Sequence, residues 1–433
     1  MYKNWTVFCF CCFLSFFLIF STQIHSQTPP NSTTEIRGVW LTNVASGVLF
    51  SPWGIERAIN QLSSLNFNYI YPVVWNRGHT FYPSEVARQI IGRRQDVFLS
   101  FIKPFQDTLK VFVEKGNNQG LKVVPWFEYG FMTPANSLLA KRHPEWLTIR
   151  RDSSEEFKEV LDEQAATESP TKKPLFSFSS DFFAVKQVWL NPIHPQVQKF
   201  MKNLILEVVN NYEISGIQID DHFGMPVELG YDPITIKLYR EEHEGKNPPS
   251  NPKNTEWMRW RADKITEFMA KLSEEIKAIK PAAKISLSPN SQGFSYSNYL
   301  QDWQTWVKRG LVDEVILQVY RNDIKRFIAE LEDPVIQEAR NKIPVAIGIT
   351  AGTWRNPVSV KQIEEQVKIV RDKKFAGVSF FYWESLWSYL TPESPQQRRQ
   401  VFQKIFSNSQ DEHYFIQQLH LFVDNLLEFF REF

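Results

Sequence analysis

Two carboxylates stand side by side at Asp220-Asp221. They close the stretch Gly216-Ile217-Gln218-Ile219-Asp220-Asp221-His222, which alternates apolar and polar residues. In an extended strand Ile217 and Ile219 face one way, and Gln218 and Asp220 face the other. A polar face ending in Asp-Asp is poor core and reads as the lip of a polar pocket. Two further carboxylates end aromatic-rich stretches: Glu128 after Val-Val-Pro-Trp-Phe, and Glu384 after Ser-Phe-Phe-Tyr-Trp. Paired carboxylates are what cleavage of a glycosidic bond needs. One protonates the leaving oxygen, and the other acts as nucleophile or as base for water. Asn76, Arg77, His222, Asn290 and Gln318 supply hydrogen bonds for sugar hydroxyls. Trp126, Tyr320, Trp354 and Trp383 supply flat faces for sugar rings.

Each of these residues also has a plainer reading. Asp220 and Asp221 would serve as a cap or as partners for Arg77. Glu128 would serve in an ion pair, and Glu384 would suit a helix N-terminus, where the dipole favours a negative charge. Tryptophans are more often core than sugar platforms. The eight His residues show no H-x-H or H-E-x-x-H spacing, and two adjacent Asp residues are a weak cation signal, so no metal is expected. No glycine-rich phosphate loop follows any strand, and no cofactor is expected.

Eight strand candidates carry these residues: 37–42, 69–75, 122–129, 216–222, 284–289, 314–320, 344–350 and 377–384. Helical spacing recurs between them, at 53–65, 104–119, 195–212, 257–279, 298–309, 323–341 and 359–373. Strict strand–helix alternation predicts a parallel sheet, and eight repeats predict a closed (β/α)₈ TIM barrel. In such a barrel function sits at the C-terminal strand ends, where all four carboxylates fall. Long βα-loop insertions are expected at 76–103, 150–187 and 223–256.

Residues 1–27 read as an export signal or an uncleaved anchor: Lys3, then an almost wholly apolar run from Trp5 to Phe20, short for a membrane span of about 20 residues. Residues 28–34 read as a linker, 35–405 as the barrel, and 406–433 as a region carrying an extra C-terminal amphipathic helix at 411–431. That helix has an acidic polar face, so packing on the barrel or a dimer contact is expected rather than membrane binding. A periplasmic or secreted location follows from the leader. All three cysteines (Cys9, Cys11 and Cys12) lie within the leader, which leaves the remainder without thiol chemistry. Apart from Lys3, the chain's 48 other basic residues balance 48 acidic ones, and nothing indicates a nucleic-acid or anionic-membrane partner.

Four segments resemble the glycosyl-hydrolase-like 10 family, formerly a domain of unknown function found in exported bacterial proteins. They are Glu35-Ile-Arg-Gly-Val-Trp-Leu-Thr42, Val124-Pro-Trp-Phe-Glu128, Gly216-Ile-Gln-Ile-Asp-Asp221 and Gly377-Val-Ser-Phe-Phe-Tyr-Trp-Glu-Ser-Leu386. The resemblance covers roughly 35–390. It implies a TIM barrel and glycoside hydrolysis, with peptidoglycan glycan strands stripped of stem peptides as the best-described substrate class. The seventh strand, Pro-Val-Ala-Ile-Gly-Ile-Thr, carries no carboxylate, unlike that of the best-known retaining barrels. The expected pair is therefore a fourth-strand Asp as nucleophile or base, with Glu128 or Glu384 as the acid. The rival expectation is a non-catalytic barrel that binds a glycan. Metal-dependent deacetylation of a glycan is a third.

Overall fold

The structure, a computed structural model, describes residues 35–152, 186–353, 356–387 and 391–407. Eight parallel strands form its centre: β1 (Ile36–Leu41), β2 (Tyr69–Pro72), β3 in two pieces (Lys122–Val123 and Trp126–Phe127), β4 (Gly216–Asp220), β5 (Lys284–Ser288), β6 (Glu314–Gln318), β7 (Val345–Thr350) and β8 (Gly377–Phe381). Each pairs with its neighbours in sequence, and β8 pairs back to β1. The split strand β3 closes the ring. Its first piece pairs with β2, its second with β4, and Val73 also bridges Trp126. Pro125 lies in the break; its carbonyl accepts from the Gln218 amide at 2.8 Å. The fold is thus the expected α/β barrel.

The strands form because their residues suit burial on both faces. Apart from Ile316, the Val, Ile and Leu side chains of β4 to β8 point outward to the helices and are buried. The positions between them point into the barrel. There Trp40 Nε1 donates to Gln218 Oε1 at 2.6 Å, and Gln218 Nε2 donates to Ser286 Oγ at 3.1 Å. Trp40 also lies 6.3 Å from both Trp126 and Phe381, ring centre to ring centre, so three rings make a floor across the upper barrel. Gly377 starts β8 at φ 140°. A Cβ there would sit 2.1 Å from the Ile36 carbonyl oxygen, so only glycine lets β8 approach β1.

Helices cover the outside: α1 (Gly54–Ser64), α2 (Thr108–Asn118), α3 (Pro195–Asn211), α4 (Thr255–Ile279), α5 (Trp303–Lys308), α6 in two pieces (Ile324–Leu331 and Pro334–Arg340), α7 (Val360–Asp372) and α8 (Pro395–Phe406). In α1 the buried residues Ile55, Ala58, Ile59 and Leu62 follow the helical period. Side-chain caps start most of the others: Asp107 on α2, Asn254 on α4 and Ser394, in a full capping box, on α8.

Local departures from the sequence reading have physical causes. The segment 76–103 is no structureless loop: it holds a hairpin, Trp75–Asn76 with His79–Thr80, and two short helices, Glu85–Ile91 and Val97–Ile102, capped by Ser84 and Asp96. The helix expected at 298–309 is two, Gln292–Tyr299 and α5, separated where Leu300 turns left-handed at φ 53°. The α6 break falls at Asp333-Pro334, where proline disfavours helix in the residue before it. Strand β8 ends at Phe381, so Trp383 and Glu384 open a short helix, Trp383–Trp387. The insertion 223–256 contains the helix Pro233–Glu242. The leader, the linker, Trp354, most of the 150–187 insertion and the 411–431 helix lie outside the described residues.

Candidate active site

The site grows from the top of β4. Period-two alternation sends Ile217 and Ile219 into the outer core, both at 0% exposure, and turns Asp220 inward. Asp220 is 3% exposed and accepts three donors. Trp126 Nε1 reaches Oδ2 at 2.8 Å; Gln318 Nε2 and the Asp221 amide reach Oδ1 at 2.6 and 2.8 Å. Gln301, fully buried, holds the Asp220 carbonyl at 2.9 Å. Burial and the Asp221 charge push the Asp220 carboxyl well above its usual range, while the hydrogen bond from the Asp221 amide pulls the other way.

Asp221 lies one residue past the end of β4 and has partners of its own. Asn290 Nδ2 donates to its Oδ2 at 2.7 Å, and His222 Nδ1 lies 2.9 Å from Oδ1. Burial pushes Asp221 up, but the His222 charge and these contacts outweigh it and hold the carboxyl below its usual range. Burial likewise pushes His222 down, and Asp221 more than restores it. The adjacent pair therefore keeps its negative charge on Asp221.

Glu128 comes off the second piece of β3. Asn76 Nδ2 donates to its Oε2 at 2.5 Å, and Thr42 Oγ1 donates to the same oxygen at 3.2 Å. The other oxygen has no protein partner among the described residues. Burial pushes this carboxyl up to about 7, although Asn76, His222, Thr42 and Arg77 all favour its charged form. Tyr320 faces the same cluster. Its hydroxyl is held well above the usual range by burial, then by the charges of Asp220, Asp221 and Glu128. Arg77 turns back through the hairpin at φ 55°, and its charge acts on Glu128 and Tyr129.

The structure thus brings together Asn76, Arg77, Trp126, Glu128, Asp220, Asp221, His222, Asn290, Gln318 and Tyr320. Glu384 does not join them. Its Oε1 accepts from Ser46 Oγ and from the Gly47 amide at 3.0 Å, so it ties the loop after β1 to the start of the helix after β8. Burial pushes it up to about 7 as well. Two of the tryptophans read as sugar platforms are closed off. Trp126 is 3% exposed, with its indole committed to Asp220. Trp383 is 6% exposed and packs edge-on against Trp387.

A row of half-buried and exposed aromatic rings runs elsewhere; of its five residues only His222 was read as a site residue from the sequence. Tyr129 stacks on His222 at 5.7 Å, His222 lies 6.3 Å from Trp189, Trp189 stacks on Tyr299 at 6.2 Å, and Tyr299 lies 5.9 Å from Phe294. The first four rings are half-buried, and Phe294 is 48% exposed. Trp189 comes from Gln187–Trp189, a short strand paired with Met132–Pro134. The apolar run Val188-Trp189-Leu190 between Gln187 and Asn191 was the available signal. Thr42, the last polar residue before the β1 loop, is the other addition.

Comparison with known proteins bears on the family and the fold. The chain is 24% identical over 328 residues to the glycosyl hydrolase DigH of Escherichia coli K12, covering 68% of this chain and 67% of the relative. It is 20% identical over 328 residues to the glycosyl hydrolase YngK of Bacillus subtilis, spanning about half of that longer protein, 54%. Among solved structures, the PgaB (BpsB) glycoside hydrolase domain of Bordetella bronchiseptica aligns over 85% of this chain and 98% of its own, with a TM-score of 0.56 and 14% identity. The catalytic domain of a Paenibacillus polymyxa β-amylase aligns over 85% and 97%, with a TM-score of 0.52 and 11% identity. At those identities the two structures speak for the fold alone. A family model described as glycosyl hydrolase-like 10 matches residues 35–374, and the chain belongs to that family.

Proposed function

We propose that the protein is an exported glycoside hydrolase that cuts a polysaccharide at the barrel mouth, with peptidoglycan glycan strands freed of stem peptides as the substrate. The observation that carries this reading is the contrast between Glu128 and Asp221. Glu128 is a carboxyl raised to about 7 by burial, with both of its donors among the described residues on one oxygen, and Asp221, whose charge acts with that of Glu128 on Tyr320, is held below its usual range. Pairs of carboxyl groups whose environments drive them apart mark the acid and its partner.

In this mechanism Glu128 gives its proton to the glycosidic oxygen as the bond to the anomeric carbon breaks. Asp221 supplies the negative charge that the oxocarbenium-like transition state needs, as base for water or as nucleophile. Asp220 acts from beneath, anchored by Trp126 and Gln318. Tyr320, Asn290 and Asn76 hold the carboxylates and the sugar hydroxyls. The family membership and the hydrolase relatives support this class of reaction. The substrate is carried by the family resemblance in the four segments that begin at Glu35, Val124, Gly216 and Gly377.

The test is incubation of the chain with intact peptidoglycan and with glycan strands stripped of peptides, with products read by mass spectrometry. Shortened strands from the stripped material, absent with Glu128→Gln, are the expected result. No product from either material, with glycan binding retained, would make the protein a binding barrel instead.

A further inference from the structure

The wall of rings from Tyr129 to Phe294 has no part in the bond-breaking step, yet it begins at the site. His222, its second ring, is the ion-pair partner of Asp221. From there Trp189, Tyr299 and Phe294 lead outward over the loops that follow β3 and β5, with exposure rising to 48% at Phe294. Centre-to-centre steps of 5.7 to 6.3 Å between rings tilted by 24° to 51° make offset contacts, not face-to-face sandwiches. Offset rings leave part of each face uncovered. A folded protein that needed these rings only for packing would cover them, as it covers Trp126 and Trp383.

We infer that Trp189, Tyr299 and Phe294 form a glycan subsite that holds an uncharged sugar on the Asp221 side of the bond to be cut. The inference rests on the hydrolase reading above and adds which sugar lies where. The steps between rings are comparable with the length of one pyranose, so one sugar meets the rings as a group. The charges that act on Tyr299 are Asp221 and Glu228, both negative, which disfavours a sugar bearing a carboxylate at this end.

The test uses Glu128→Gln as a background that binds without turnover. Binding of uncharged β-1,4-linked N-acetylglucosamine oligomers and of peptide-free peptidoglycan strands is followed by calorimetry. Phe294→Ala and Tyr299→Ala are each expected to weaken binding of the longer uncharged oligomers about tenfold, as loss of one good ring contact would. Phe105→Ala removes a fully exposed ring from the loop after β2 and is expected to change nothing. Phe294 is half-exposed, so its loss leaves the fold intact. Unchanged affinity in both wall variants overturns the subsite while the hydrolase reading stands. Binding of the acidic strands alone, with no affinity for the uncharged oligomers, overturns the sugar class assigned to it. No binding of either glycan by the background overturns both readings.

Discussion

The indole Nε1 of Trp126 donates to Oδ2 of Asp220 at 2.8 Å, joining the top of β3 to the top of β4 beneath the site. Trp126 is thereby a positioning residue. It fixes Asp220, and through Asp220 the backbone that presents Asp221. Trp126→Phe keeps the buried ring and removes the donor. The expected outcome is a fall in kcat of about tenfold or more, as when a buried acceptor loses its donor. The loss should fall on kcat, with KM and the acidic limb of the pH–rate profile, which belongs to Asp221, unchanged. A loss that appears only in thermal stability would reduce Trp126 to packing.

Glu128→Gln is expected to lower kcat by about 10²- to 10⁴-fold, the range lost with a general acid, while glycan affinity is kept. The wild-type rate should fall as pH rises through about 7, because the acid must be protonated and burial places its carboxyl there. The variant should lack that descending limb. Turnover that stays constant from pH 6 to 9 would remove Glu128 from the proton transfer.

Glu384→Gln makes the contrasting case. Its carboxyl is raised from 4.5 to about 7. A group raised in the fold contributes fully below its unfolded value, and that contribution is lost as pH rises through the folded value. Glutamine keeps an acceptor for Ser46 and Gly47 and does not titrate. The variant should therefore match the wild type in thermal stability at pH 4 and exceed it at pH 8, by an amount of order 2 kcal/mol. Turnover should persist at both. Loss of turnover comparable with that of Glu128→Gln would return Glu384 to the catalytic pair.

Chelation separates hydrolysis from metal-assisted chemistry. Asp220, Asp221 and His222 each offer one ligand atom, and all three lie within 4.8 Å of one another. The carboxylate oxygens, however, are already engaged by Trp126, Gln318, Asn290 and His222, and a cation would have to break those contacts. Extensive dialysis against a chelator is expected to leave the rate unchanged. A rate lost on dialysis and restored by a divalent cation would move the mechanism to a metal-activated water.

The barrel was legible because each strand is a short apolar run followed by a helical period, a signal that is local. Asp220, Asp221 and Glu128 were legible for the same reason: once the strands are placed, their ends are placed. The contacts of Glu384 were not, because its partners Ser46 and Gly47 lie more than 330 residues away in sequence and no local pattern records them. The burial of Trp126 and Trp383 was hidden on the same ground. Trp126 and Trp383 hold the expected strand-end positions, but which way an indole turns depends on partners across the barrel. The open rings come from places that pattern leaves ambiguous. Trp189 trails a polar tract, and Phe294 and Tyr299 occupy a short helix whose end at Leu300 depends on one left-handed residue.

The break in β3 has a consequence for how this site can diversify. Pro72 and Pro125, which lack amide protons, sit where β2 runs beside β3, so that joint has missing rungs, whereas the upper piece of β3 is bonded to β4. Glu128 and Asp220 stand on the same side of that joint. The donor Asn76, however, reaches Glu128 from the β2 side, and the Val74 amide bonds the Trp126 carbonyl across the joint at 2.9 Å. Substitutions at the joint therefore act on the hydrogen bonding of Glu128 and leave the Glu128–Asp220 spacing to the bonded pair β3 and β4. Since carboxyl spacing governs whether a glycosidase retains or inverts configuration, in the proposed hydrolase this joint would tune the acid separately from the stereochemistry.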